Sequence, residues 1–213
     1  MSNIENNIDA VDISKERQIL EAAEKVFLAK GYAASKTMEI AEMAGVNHAL
    51  LHYYFRTKEN LFNKVFVEKI DLFIDSFTDL FAKELPLFEL ITSVIETQFL
   101  FLEDNDKLPF FLVNEVISSP QYQKMFKERF FSKIKDHLQD ADCLLKQEIE
   151  KGTIKEITLV DLLISISSLN MFYYMLKPII MTNREEIGAE YVDMVVNNRK
   201  QTHVDVILNW IKK

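Results

Sequence analysis

The segment GVNHALLHYYFRTKENLF, residues 45–62, gathers side chains that form hydrogen bonds, His48, His52, Tyr53 and Tyr54, and follows them with the cations Arg56 and Lys58. Imidazoles and phenols at that density suit either a metal site or contact with phosphate oxygens. His48 and His52 stand four apart, as two zinc ligands on one helix face do. The position that would carry the Glu of an HExxH site is Ala49, however, and no third ligand is near, so no metal is expected. Contact with nucleic acid is the better reading, because outward hydroxyls and imidazoles reach phosphates and Arg56 and Lys58 add charge.

Catalysis is not expected either. The chain holds no GxSxG, Walker loop, GxGxxG or CxxC. Cys143 is the only cysteine, which excludes a disulfide framework or a cysteine zinc cluster, and nothing calls for a cofactor. The N-terminus, MSNIENNIDAVD, lacks the basic and apolar regions of a signal peptide, so a cytoplasmic location is expected.

The elements that must carry these side chains are helices. In 213 residues, 48% of them apolar, four glycines and four prolines are too few turn signals for an all-β fold. The net charge of −8 argues against a generally adhesive nucleic-acid binder, but it is unevenly spread. Residues 1–13 carry three acids and no Lys or Arg, and read as a flexible acidic arm. Residues 14–58 carry seven Lys or Arg against five acids, and residues 59–213 hold the remaining negative charge.

Within 14–58 the spacing predicts three helices. The first runs from Ser14 to Gly31 with Ile19, Ala23, Val26 and Phe27 inward. The second opens at Ser35 with Met38, Ala41 and Ile40 inward, and the third follows the capping residue Asn47 with Leu50, Leu51, Tyr54 and Phe55 as its apolar positions. Ala41, Ala44, Gly45 and Val46 are compact, as a close helix-turn-helix crossing requires. Asn47, His48, Ala49, His52 and Tyr53 then project outward.

The stretch ILEAAEKVFLAKGYAASKTMEIAEMAGVNHALLHYYFRTKENLF resembles the DNA-binding domain of the TetR family of bacterial regulators. It does so at Ala23, Phe27, Gly31, Tyr32, Ile40, Ala41, Ala44, Gly45, Val46, Leu51, Tyr54, Phe55, Lys58, Glu59 and Leu61. The resemblance implies an all-α homodimer that binds double-stranded operator DNA through Lys36, Thr37, Asn47, His48, Ala49, His52, Tyr53, Tyr54 and Lys58. Of these, Lys36, His52, Tyr54 and Lys58 would meet phosphates, and Asn47, His48 and Ala49 would lie nearest base edges. Lys36 stands where the family usually has a phosphate-binding Thr, Leu50 where a small polar residue often touches a base, and His52 where a Tyr is usual.

Residues 59–213 read as about six helices forming a ligand-binding and dimerisation domain. Breaks are expected near Lys83, between Asp104 and Pro109, after Ser118, at Gly152, at Lys177-Pro178 and at Thr182-Asn183-Arg184. Its phenylalanines are dense, among them Phe77, Phe81, Phe88, Phe99, Phe126 and Phe172. They pack a core or line a cavity for an apolar or amphipathic small molecule. Polar residues inside apolar runs mark candidate contacts, giving the set Gln98, Phe99, Phe110, Phe111, Asn114, Glu115, Phe130, Asn170 and Tyr173. The resemblance implies a repressor released from its operator by such an inducer. The alternative is a helical carrier of a hydrophobic compound or partner that does not act on DNA.

The uncharged run LLISISSLNMFYYML, Leu162 to Leu176, is about three-quarters of the roughly 20 residues a bilayer helix needs, so no membrane span is expected. Two adjacent stripes, Leu162-Ile166-Leu169-Tyr173-Leu176 and Leu163-Ser167-Asn170-Tyr174, predict burial on both sides, against the domain and against a second subunit.

Overall fold

The computed structural model describes residues 2–77, 80 and 83–213, with side chains from Ser14 onward. The side chains of the expected acidic arm, residues 1–13, and Phe81 lie outside the described residues. Among the described residues the secondary structure is helical: α1 Ser2–Ala34, α2 Thr37–Met43, α3 His48–Phe55, α4 Lys58–Asp75, α5 Leu87–Asp104, α6 Leu108–Ser118, α7 Pro120–Glu150, α8 Leu159–Thr182, α9 Arg184–Ile187 and α10 Ala189–Ile211. Their contacts divide the chain into two compact units. One runs to Asp71 and takes in Phe111–Tyr122; the other comprises Leu72–Phe110 and Gln123–Lys213.

The first unit is larger than the 14–58 segment read from the sequence. Leu61, Phe62, Val65 and Phe66 of α4 are buried together with Ile19, Ala23, Val26 and Phe27 of α1, Ile40 and Ala41 of α2, and Leu51 and Phe55 of α3. Phe62 is the hub of a ring cluster, at 4.9 Å from both Phe27 and Tyr32, 5.6 Å from Phe111 and 5.2 Å from Tyr122. Truncating a ring buried this way costs about 3–5 kcal/mol, which is why most of α4 and of α6 belongs with α1, α2 and α3. The α1 and α4 faces are also tied by Lys69 and Glu24, whose ion pair at 2.5 Å neutralises a nearly buried ammonium.

The second unit packs α5, α8 and α10 around Leu87, Ile91, Ile95, Leu162, Ile166, Val204, Ile207 and Ile211, with Leu145 of α7 and Ile154 closing one end. Gly152 ends α7 with φ 72°, and the Thr153 N–H bonds back to the Glu148 carbonyl. The chain beyond pairs Ile154 with Lys212 in an isolated antiparallel bridge.

Three boundaries differ from the sequence reading, the first being that of α1, which begins at Ser2 rather than Ser14. α4 is helical to Asp75 rather than about Lys83, and α8 continues through Pro178 to Thr182. A proline removes one backbone donor, and its cost is bearable near a helix end. The stripes on α8 also differ. Asn170 and Tyr174 are buried beside Leu162, Ile166 and Tyr173 on a single face. The opposite face exposes Val160, Ile164, Phe172 and Ile179, each about 60% accessible (63, 60, 59 and 60%).

Candidate functional site

The turn before α3 is built by backbone geometry. Gly45 takes φ 65°, its N–H bonds to the Glu42 carbonyl and the Val46 N–H to the Ala41 carbonyl, the paired bonds of a Schellman end. Asn47 then caps α3, its Oδ1 accepting the Leu50 N–H at 2.8 Å. Leu51 and Phe55 are buried and hold the helix to the unit, while Asn47, His48, Ala49, His52 and Tyr53 face outward, Tyr53 at 73% accessible.

These outward side chains are already ordered against one another. His48 Nε2 lies 3.0 Å from Thr37 Oγ1, which ties α3 to the first turn of α2, and the His48 and His52 rings meet edge-on at 5.2 Å. Tyr53 and Tyr54 meet edge-on at 5.4 Å. Lys36 is exposed at the N-cap position of α2 and makes no capping bond there. An α-helix of this size fits a major groove, and imidazole, amide and phenol groups on its outer face reach phosphates and base edges. Among the described residues no three His, Cys, Asp or Glu side chains converge as a metal site.

Lys58 is placed differently from a freely extended phosphate contact. Its Nζ donates to the Ser35 carbonyl at 2.7 Å and the Ala33 carbonyl at 3.4 Å, and lies 4.4 Å from the centre of the Tyr32 ring. Asn47 likewise commits its oxygen to capping, leaving its amide N–H groups as the outward donors.

The nine candidate ligand residues are shared between the two units. Gln98, Phe99, Asn170 and Tyr173 come together in the second unit. Asn170 Nδ2 donates to the Ile95 carbonyl at 3.1 Å and to Gln98 Oε1 at 2.9 Å, and Gln98 Nε2 donates to Ser167 Oγ at 3.4 Å. Phe99 stacks on Tyr173 at 5.6 Å. Phe111, Asn114 and Glu115 belong to the first unit: Phe111 sits in the Phe62 cluster, and Glu115 accepts the Tyr32 N–H at 2.9 Å. Phe110 is exposed, and Phe130 is half-buried on α7, stacked on Phe126 at 5.4 Å.

The polar cluster of the second unit has members absent from that set. His203 of α10 is 1% accessible, its Nδ1 is 2.7 Å from Asn170 Oδ1, and its Nε2 has no hydrogen-bond partner. Burial, then the nearby Arg199 charge, pushes its pKa down to about 4, so the ring is neutral. The Tyr174 hydroxyl is buried without a partner as well, and burial raises its pKa above the ordinary phenol range. The Arg199 guanidinium lies 5.6 Å from the Tyr173 ring. His203 stands in the polar run Asn197–His203, where only its i, i+4, i+8 register with Ile207 and Ile211 signals burial.

Residues 19–65 match the family described as bacterial regulatory proteins, tetR family. A fatty acid metabolism regulator protein of Bacillus subtilis is 28% identical over 142 residues, 67% of this chain and 72% of that protein. The transcriptional activator FasR of Mycolicibacterium smegmatis is 27% identical over 111 residues, 52% of this chain and 51% of that one. The fold is similar to that of the regulator FadR of Bacillus subtilis, solved in complex with stearoyl-CoA, with a TM-score of 0.57, 21% identity and 92% of this chain and 99% of that chain covered.

Proposed function

We propose that the chain is a transcriptional regulator of the TetR family, a ligand-responsive repressor whose inducer is a long-chain acyl thioester of coenzyme A. It acts in the cytoplasm as a homodimer. Each subunit lays α3 in the major groove of one half-site, and ligand in the second unit lowers operator affinity. The observation that carries the ligand class is the 142-residue likeness to a fatty acid metabolism regulator, which is too long to come from the 19–65 segment alone. The stearoyl-CoA held by a protein of similar fold supports the same class.

The chain's own residues fit this reading. Half-buried Phe126 and Phe130 on α7, with the exposed Lys127 three residues before Phe130, offer apolar surface next to positive charge, as an acyl chain with an anionic head requires. Exposed apolar residues on α8 and α10, including Ile164, Phe172, Met194 and Val206, form the kind of surface that a second subunit covers. No catalytic role is assigned to any residue.

The test has two arms. In a gel shift, the dimer should retard DNA from upstream of its own gene and not a scrambled duplex. In thermal denaturation, stearoyl-CoA should raise the melting temperature while free coenzyme A does not. Retardation of both duplexes alike would remove the operator reading, and no response to stearoyl-CoA would remove the ligand class.

A further inference from the structure

We propose that Glu115, far from α3 in sequence, is a positioning residue for DNA reading, because its carboxylate fixes the break at Gly31 from which α2 and α3 are hung. The proposal rests on the DNA-binding reading above.

At Gly31 the backbone leaves the helix with φ 72° and ψ 173°, a region open to glycine and costly for any other residue. The helical register is lost there, and the next N–H, that of Tyr32, is taken by Glu115 Oε1 at 2.9 Å. The carboxylate is itself buried, and Asn114 Nδ2 donates to the same oxygen at 3.1 Å. A Cβ on Gly31 would stand 3.0 Å from Glu115 Oε1 and 3.5 Å from Asn114 Nδ2, so the glycine leaves room for this acceptor as well as for the dihedral angles.

The rest of the connector is held as firmly. The Tyr32 ring packs on Phe62 at 4.9 Å beneath Lys58 Nζ. Lys58 also binds the Ser35 carbonyl, and Ser35 Oγ donates to the Gly31 carbonyl at 2.6 Å. Residues 31–35 are thus fixed by α4 on one side and by Glu115 of α6 on the other, and α2 starts two residues later at Thr37. The pose of α2, and through the His48–Thr37 contact that of α3, follows from this connector. A backbone N–H left without a helical partner is costly to bury, and an acceptor oxygen at that point satisfies it.

The experiment compares wild type, Glu115→Ala, Glu115→Gln and Gly31→Ala. The probes are a duplex selected from random DNA by the wild-type dimer and a scrambled duplex of equal length. Glu115→Ala should lose at least tenfold in affinity for the selected duplex and keep its affinity for the scrambled one, since phosphate attraction needs no fixed pose. Glu115→Gln, which keeps an acceptor oxygen, should stay within threefold of wild type, and Gly31→Ala should reproduce the specificity loss. Hydrogen exchange without DNA should show the Tyr32 amide losing protection in Glu115→Ala and keeping it in Glu115→Gln. The proposal is overturned by an unchanged Tyr32 amide, by unaltered specificity in Glu115→Ala, by a joint loss of specific and non-specific binding, or by failure of the Gln variant to rescue. Should no duplex be selected by the wild type, the DNA-binding reading falls and takes this one with it, whereas a failure confined to the variants leaves that reading standing.

Discussion

Asn170 commits both amide hydrogens, to the Ile95 carbonyl and to Gln98 Oε1, so its oxygen is what faces His203. His203 Nδ1 must then carry the proton, which leaves Nε2 as a bare, buried acceptor. Because the folded-state pKa is lowered from 6.5 to about 4, the unfolded chain takes up a proton first as the solution is acidified. His203 therefore favours the fold fully above pH 6.5, and that contribution is lost as the pH falls from 6.5 toward 4, to an upper limit of roughly 3 kcal/mol. The difference in unfolding free energy between wild type and His203→Gln, measured by denaturant at several pH values, should shrink across that window. A constant difference would show that the ring is not held neutral.

Arg56, at the end of α3, has φ 61° and is the only non-glycine residue with positive φ among the described residues. Such a conformation costs an L residue on the order of 1 kcal/mol. Arg56→Gly should raise the unfolding free energy measured by denaturant by about that amount and weaken binding to every DNA sequence alike through loss of one cation. Unchanged DNA affinity would show that the strained arginine does not face phosphate.

At the scale of the element, α3 was legible in the sequence and α8 only in part. Alternating inward Leu51 and Phe55 with outward His48 and His52 defines a helix with one dry face, and burial follows that division. What no spacing could reveal is that Thr37 meets His48, or that Lys58 turns back onto Ser35 and Ala33, since these contacts depend on how the turns are cut. His48→Ala should relax preference at one base position in each half-site by about 1–3 kcal/mol, measured by competition among operator variants. An equal loss for all variants would make His48 a backbone contact. For α8 the residue composition misled: it is apolar all round, so the buried face could not be told from the exposed one until Asn170 and Tyr174 were seen inside. Phe172→Asp, on the exposed face, should fold normally yet sediment as a monomer and bind no operator, because two half-sites need two linked recognition helices. A dimeric Phe172→Asp protein would place the subunit contact elsewhere.

Across the whole molecule, the helical class and the breaks at Gly31, Gly45 and Gly152 were readable, because each of these glycines marks a change of direction at positive φ. The grouping of the helices was not, since burial of Phe62 and Phe66 beside Phe111 and Tyr122 joins residues distant in sequence. Asn114 donates to Glu115, and Glu115 also accepts the Tyr32 N–H, contacts that no sequence spacing reveals. His203 was hidden by lying in a polar run that suggests a surface. Operator affinity measured by fluorescence anisotropy with and without saturating stearoyl-CoA shows whether one molecule couples DNA and an acyl thioester. A coupling of about 1.4 kcal/mol or more predicts at least a tenfold loss of affinity, with stearoyl-CoA binding weakened by the same factor when operator is bound. Equal operator affinity in the presence and absence of stearoyl-CoA would contradict the account.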